Sequence, residues 1–499
     1  MSRAGEFRTR VRSRRRAIAR RLAASLAIAT VLCAAAAQAA MPREIRRAFL
    51  DAGIPMTDVS IVVQDTAKPR PMFVYDPDRP RNPASVMKLV TTYAALELLG
   101  RDYRWKTEAY LGGPLVNGVL HGNLILKGQG DPKITKEQWQ AFIAMLRGKG
   151  LEAIDGDLVL DRSYFALPRY DASAFDHEPR KPYNVGPDAL LVNFKALHLS
   201  FTPDSAAAQV AVSIDPPLPE VALQRSPALV DTPSCGDWRT SARPEFVDWG
   251  DHASIRFAGD YSASCGERDW WVSLLDHAHY VRAIFEAYFR EAGGRFAGEV
   301  KSGRVAPGAT PFATLESPPL YDIVRDVNKL SNNVMARQIF LTLATTADPP
   351  PATPARAAAV VRRFLAAHKL AMRGLVLENG SGLSRRERVS ARGLNALLVA
   401  ASRSKVRDEF ASSLPVAATD GTLERRFVHD GVAGQALLKT GTLEGVRALA
   451  GYVVDRSGRW YSVVALVNAP HARRAAPALD YLVEWVYANG ASFDTALQH

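Results

Sequence analysis

The chain has 499 residues, 47% hydrophobic and 23% charged, enough to bury more than one apolar core and unlike disordered, collagen-like or coiled-coil sequences. Its formal net charge of +12 is concentrated at one end. Without the nine arginines and one glutamate of residues 1–39, the 63 basic and 51 acidic residues fall to 54 and 50, a net +4, so a basic nucleic-acid binder is not indicated.

Residues 1–39 read as a targeting segment. Arginines from Arg3 to Arg21 precede an apolar run from Leu22 to Ala37, and Ala37-Gln38-Ala39 sets small residues two apart. These are the charged region, apolar region and cleavage site of a secretory signal, cut after Ala39. The apolar run is about 16 residues, mostly alanine, short of the roughly 20 that a membrane span needs. Ser13-Arg14-Arg15 also admits a twin-arginine route. Cys33 follows Leu32, where a lipoprotein signal carries a small residue, so lipidation is not expected. Export then leaves Cys235 and Cys265, which read as one disulfide closing a loop of about 30 residues. The alternative is a two-thiol metal site. The nearest histidines, His252, His277 and His279, lie outside the usual zinc-ligand spacings, so no metal is expected.

In chain order, Ile45, Phe49 and Leu50 have helical apolar spacing, and Val59–Gln64 and Met72–Tyr75 are strand-like. Asn82 suits a helix N-cap, Pro83 the first helical position and Gly100 the stop, which sets Ser85 in a first turn. From Trp105 the texture is β-β-α-β: Leu120–Lys127, a helix over Glu137–Arg147, then Leu158–Leu160. Residues 165–270 are proline-rich with short alternating runs at Leu197–Thr202, Val210–Ile214 and Ser254–Phe257. Helices are expected at His277–Ala292 and Asp322–Leu343, and an exposed Pro/Ala loop at 348–356. Strands follow at Ala436–Gly441, Arg447–Val454 and Trp460–Val467, with a turn at Asp455-Arg456-Ser457-Gly458, and a helix over Ala475–Ala488 closes the chain.

Three short motifs carry the chemistry: Ser85-Val86-Met87-Lys88 (SxxK), Ser331-Asn332-Asn333 (SxN) and Lys439-Thr440-Gly441-Thr442 (KTGT). Singly, the first two arise by chance about once in a chain this long. Their order and setting say more. Positions three apart share a helix face, so Lys88 can reach the Ser85 hydroxyl and, if neutral, take its proton. Burial, the helix dipole and a second cation, Lys439, would all lower the Lys88 pKa. Ser331 would supply the proton path to a departing amine, and Asn333 would bind a peptide and help hold Lys88. Strand alternation sets Thr440 and Thr442 on one face, suited to a terminal carboxylate. Gly441 would let substrate backbone approach closely, and the amides of Ser85 and Thr442 would form an oxyanion hole. Taken alone, each motif also fits a bland reading: a surface helix, an Asn-rich cap, an edge strand.

Together the motifs resemble the class C low-molecular-mass penicillin-binding proteins, the D-alanyl-D-alanine carboxypeptidase/endopeptidases. The likeness extends to Gly130-Asp131-Pro132, Gly156-Asp157-Leu158-Val159, Gly380-Ser381-Gly382-Leu383-Ser384-Arg385, Asp420-Gly421-Thr422-Leu423 and Leu449-Ala450-Gly451-Tyr452. The segment of Cys235 and Cys265 also looks similar. The long gap from Ser85 to Ser331 fits a family that inserts extra domains there. One departure is Asn332, where the family commonly has Asp.

The resemblance implies an α+β multidomain fold, with an antiparallel sheet flanked by helices and large strand-rich insertions. A discontinuous catalytic domain is expected at 40–104 and 277–499, and an insertion of two nested units at 105–276. Ser85 is the implied acylated nucleophile and Lys88 the base, with Ser331, Asn333, Lys439, Thr440 and Thr442 supporting. The implied substrates are peptidoglycan stem peptides in the periplasm. The implied covalent inhibitors are β-lactams, and no cofactor is implied. The competing readings are a β-lactamase or esterase on the same fold and a non-catalytic peptidoglycan-binding protein.

Overall fold

The computed structural model describes residues 40–370, 372–428 and 431–496, so the targeting segment, with Cys33 and Ala37-Gln38-Ala39, lies outside the described residues. Five antiparallel strands form the central sheet, in the order Phe73–Tyr75, Val59–Asp65, Trp460–Asn468, Val446–Val454, Ala436–Leu443. Side chains of a strand alternate between faces, and here both faces are apolar. Val62, Ala448, Ala450, Tyr452, Val464 and Leu466 pack with the helices Lys88–Leu99, Asn333–Thr342 and Ala391–Ala401. Their neighbours Ile61, Val63, Leu449, Val463, Ala465 and Val467 pack with Arg43–Asp51 and Ala476–Ala496. Such strands read as near-continuous apolar runs, which is why both ends of the chain were legible as sheet.

The helix Lys88–Leu99 is buried on nearly every side, with Leu89, Val90, Tyr93, Ala94, Ala95 and Leu96 all inside. A helix apolar all round belongs in the middle of a protein rather than on its surface. Among the described residues no helix is long and apolar enough to cross a membrane.

Between Trp105 and Glu316 the chain builds the insertion. One five-stranded sheet runs Val300–Ser302, Leu158–Asp161, Leu124–Gly128, Lys106–Leu111, Ala313–Glu316, with a four-stranded sheet beside it. Residues 197–272 supply a second five-stranded sheet and a three-stranded one. All four share one apolar core, in which Leu126 and Phe142 meet Phe201, Phe257 and Phe285.

This corrects the boundary expected at 276/277. The helix His277–Glu291 buries Val281, Ile284, Phe285 and Phe289 in the insertion's core, and the strands Arg295–Phe296, Val300–Ser302 and Ala313–Glu316 pair with insertion strands. Residues 277–316 therefore lie with the insertion rather than the catalytic sheet, because partners far upstream complete their pairing.

Two further expectations change. The helix expected over Asp322–Leu343 is two helices, Leu320–Lys329 and Asn333–Thr342, broken where Ser331 adopts φ 56°. The stretch 348–356 is not simply an exposed loop: Ala352 is buried and exchanges backbone hydrogen bonds with Tyr164 and Ala166, and a helix begins at Pro354 behind the Thr353 cap.

Cys235 and Cys265 form a disulfide across a separation of 30 residues. From chain entropy alone, its reduction is expected to destabilise the insertion by about 3.6 kcal/mol. Melting curves with and without reductant check this; superimposable curves would refute it.

Candidate active site

Polar contacts at both ends hold the turn carrying Ser85. Asn82 Oδ1 accepts from the Ala84 amide at 2.8 Å, and its Nδ2 donates to the Ser384 carbonyl at 2.8 Å. The Asn82 amide donates to Asn468 Oδ1 at 2.7 Å, and Asn468 Nδ2 returns a bond to the Asn82 carbonyl at 3.0 Å, fastening the turn to the central sheet. Ser85 lies in a 3₁₀ turn, Ala84–Met87, and the α-helix begins only at Lys88. Ala84 takes φ 47°, a left-handed conformation that a non-glycine residue rarely adopts and that functional turns often hold. Asn82 thus braces the turn through an i+2 amide rather than capping a regular helix.

Lys88 is 0% exposed, and its Nζ meets three oxygens: Ser85 Oγ at 3.0 Å, Asn333 Oδ1 at 2.6 Å and the Ser381 carbonyl at 2.6 Å. Burial pushes its pKa well below the ordinary lysine value; the Lys439 and Arg337 cations push the same way, and Glu387 opposes them.

The break between the two downstream helices brings Ser331 to the site. Asn332 caps the second helix, its side chain accepting from the Met335 amide at 3.0 Å. Asn and Asp are equally good caps, so Asn at this position keeps that function. Lys439 Nζ donates to Ser331 Oγ at 2.9 Å and to the Thr440 carbonyl at 3.0 Å. Its burial lowers its pKa to about 7. Thr440 and Thr442 are partly or fully exposed on one face of the strand, and Thr440 Oγ1 hydrogen-bonds Thr422 Oγ1 at 2.9 Å.

Gly441 does something other than expected. It is buried, and a Cβ there would lie 2.5 Å from the Pro83 carbonyl. Its missing side chain lets the KTGT strand close on the turn that carries Ser85, rather than making room for substrate.

All the motif residues named from the sequence therefore converge, but sequence reasoning left some supporting groups without a role. The Ser381 carbonyl on Lys88 comes from a loop whose shape Glu387 holds, its Oε1 accepting the amides of Glu378, Asn379 and Gly380 at 2.9–3.0 Å. Gly382, at φ 83°, passes so close to the turn that a Cβ would sit 1.8 Å from the Ala84 carbonyl. The Gly-x-Gly spacing at 380–382 is a signal for such close approach. Arg337, buried one helical turn beyond Asn333, donates to Tyr170 Oη at 2.7 Å and the Val185 carbonyl at 2.9 Å. Nothing in the local pattern marks it.

Known proteins share this sequence pattern and fold. Over 395 residues the chain is 24% identical to D-alanyl-D-alanine carboxypeptidase DacB of Haemophilus influenzae, covering 77% of this chain and 80% of the relative. It is 28% identical over 428 residues to a D-alanyl-D-alanine carboxypeptidase of Actinomadura sp., covering 83% and 78%. The crystal structure of penicillin binding protein 4 from Haemophilus influenzae shares the fold, with a TM-score of 0.75 at 22% identity over 90% of this chain and 100% of that one. A second structure of that protein, complexed with a β-lactam, gives a TM-score of 0.70 at 21% identity over 89% and 100%. Residues 42–486, a span holding all three motifs, match the D-Ala-D-Ala carboxypeptidase 3 (S13) family. The chain belongs to that family, that of the class C low-molecular-mass penicillin-binding proteins, and is a serine-type D-Ala-D-Ala carboxypeptidase.

Proposed function

We propose that Ser85 is the residue acylated, Lys88 the base that takes its proton, and Ser331 the group that passes a proton to the departing amine. One observation carries this reading: the set of oxygens around Lys88 Nζ. A neutral amine has two N–H groups and one lone pair. Asn333 Oδ1 and the Ser381 carbonyl can only accept, at 2.6 Å each, so they take both N–H groups and leave the lone pair for the Ser85 hydroxyl at 3.0 Å. Burial beside two further cations favours this neutral form.

The steps follow from that arrangement. Ser85 Oγ attacks the carbonyl of the penultimate D-Ala while its proton passes to Lys88. The oxyanion forms between the amides of Ser85 and Thr442. Thr440, Thr442 and Lys439 receive the terminal carboxylate. The intermediate collapses, and D-alanine leaves with a proton delivered through Ser331. Water then attacks the ester, with Lys88 again as base, and frees the peptide. Hydrolysis of D-Ala–diaminopimelate cross-links is the same chemistry with a larger leaving group. A β-lactam presents a strained amide beside a carboxylate, so it enters as an acyl-D-Ala-D-Ala mimic; its opened ring stays attached and blocks water. The enzyme works in the periplasm, its signal cut after Ala39.

Fluorescent penicillin followed by peptide mapping of exported protein tests the reading. The label is expected on Ser85 alone, and Ala40 at the N-terminus. Rapid turnover of the label would favour a β-lactamase, and no adduct on folded protein a non-catalytic binder; either overturns the proposed function. Retention of Leu22–Ala37 overturns the proposed cleavage.

A further inference from the structure

The insertion carries none of the SxxK, SxN and KTGT motifs, yet it builds one wall of a cavity whose other wall is the helix break at Ser331. This cavity, of about 500 Å³, is lined by Lys136, Asp215, Phe194 and Trp271 from the insertion and by Leu330 and Ser331 from the catalytic unit. Such a volume is far more than one alanine requires, since pockets for drug-sized ligands begin at about 300 Å³. Among its lining is Ser331, the residue placed above on the leaving amine.

Both walls are held in costly backbone conformations. Asn193, Phe194 and Lys195 are consecutive left-handed residues at φ 46°, 53° and 52°, and Ser331 opposite has φ 56°. Such conformations in non-glycine residues persist only where the surroundings over-determine them, and they gather at ligand-binding sites. The surroundings here do so. The Asn193 amide donates to the Ile134 carbonyl at 2.7 Å, and its side chain donates to Tyr280 Oη at 3.1 Å and the Ala196 carbonyl at 3.0 Å. Lys195 Nζ reaches the Leu274 and Leu275 carbonyls.

The lining is amphipathic and open. Trp271 is 53% exposed and stacks against His198 at 4.3 Å, and Leu330 is 68% exposed. Lys136 and Asp215 pair at 2.5 Å at the rim, offering one charge of each sign.

We infer that this cavity is the subsite for the leaving chain of a cross-linked substrate, and that the insertion's role is to build it. The inference rests on the reading of Ser331 given above. The occupant is the peptide stem that departs with its amine: its aliphatic stretch lies on Trp271, Phe194 and Leu330, and its amide and charged groups meet Lys136 and Asp215. D-Alanine as leaving group is too small to reach this wall.

The test compares kcat/KM on two substrates, a short acyl-D-Ala-D-Ala peptide and a purified cross-linked muropeptide dimer, for the mature protein and for Trp271→Ala and Lys136→Ala. The ratio of dimer to short-peptide activity is expected to fall by about tenfold in Trp271→Ala, as for an aromatic anchor, and less in Lys136→Ala at the rim. Melting curves identify a variant that fails to fold, and Lys136, half-buried at the start of a helix, provides the second measurement. An unchanged ratio in folded variants overturns the inference. So does a wild-type protein that releases D-alanine but leaves the dimer intact; that result also removes the cross-link hydrolysis proposed above but leaves the proposed carboxypeptidase mechanism standing. Failure on both substrates overturns the two together.

Discussion

Ser85→Ala is expected to lose release of D-alanine from an acyl-D-Ala-D-Ala peptide by at least ~10⁴-fold, because no other group can form the acyl-enzyme. The variant should fold normally. Ser85 is only half-buried, and the turn around it is held by Asn82, Asn468 and Ser384, none of which depends on the Ser85 hydroxyl. Removing that hydroxyl leaves Lys88 with its two accepting oxygens, Asn333 Oδ1 and the Ser381 carbonyl. Steady-state D-alanine release, with a melting curve as control, provides the measurement. Activity within tenfold of wild type would sink the assignment of the nucleophile.

Lys439→Ala is expected to lower kcat/KM by about a thousandfold, the scale seen when a preorganised electrostatic partner is removed from a reacting site. It should also reshape the pH profile. Lys88 must be neutral to act as base, so activity rises with pH as Lys88 loses its proton. Lys439 must be charged to hold Ser331 and the carboxylate, so activity of the free enzyme falls as pH passes about 7. The two lysines interact, so the limbs of the bell belong to the pair. Deleting Lys439 removes the alkaline limb. It also takes a cation away from Lys88, which raises the Lys88 pKa and moves the acid limb to higher pH. Near-normal turnover, or an unmoved acid limb in a folded variant, would overturn the roles given to this pair.

The residues proposed to conduct the chemistry were legible because their spacing is local. Ser85 and Lys88 are three apart on one helical segment, Thr440 and Thr442 two apart on a strand, and each spacing implies a shared face. The sheet was legible for the same reason: Val59–Asp65, Val446–Val454 and Trp460–Asn468 are dense in β-branched and apolar residues. Other readings failed where a distant partner overrides the local pattern. A helical pattern running through Ser331 favoured one helix over the Asn-rich cap that Ser331-Asn332-Asn333 also offered. The break exists because Asn332 turns to cap the next helix and Lys439, 108 residues away, takes the serine hydroxyl. The helix at His277–Glu291 was assigned to the wrong unit because its amphipathic spacing says that it buries a face, but not against what.

The sequence by itself determined the three motifs, the sheet strands and the pairing of Cys235 with Cys265. Only the tertiary structure decided what surrounds the Lys88 amine. Its two accepting partners lie 245 and 293 residues downstream, brought in by a helix cap and by a glycine loop shaped around Glu387. It also decided that Gly441 and Gly382 serve the close packing of backbone on backbone around the Ser85 turn. The physical reason is the same in each case. Propensity and periodicity act over a few residues, whereas the lowered proton affinity of a buried amine is set by whatever the whole fold places within hydrogen-bonding reach of it.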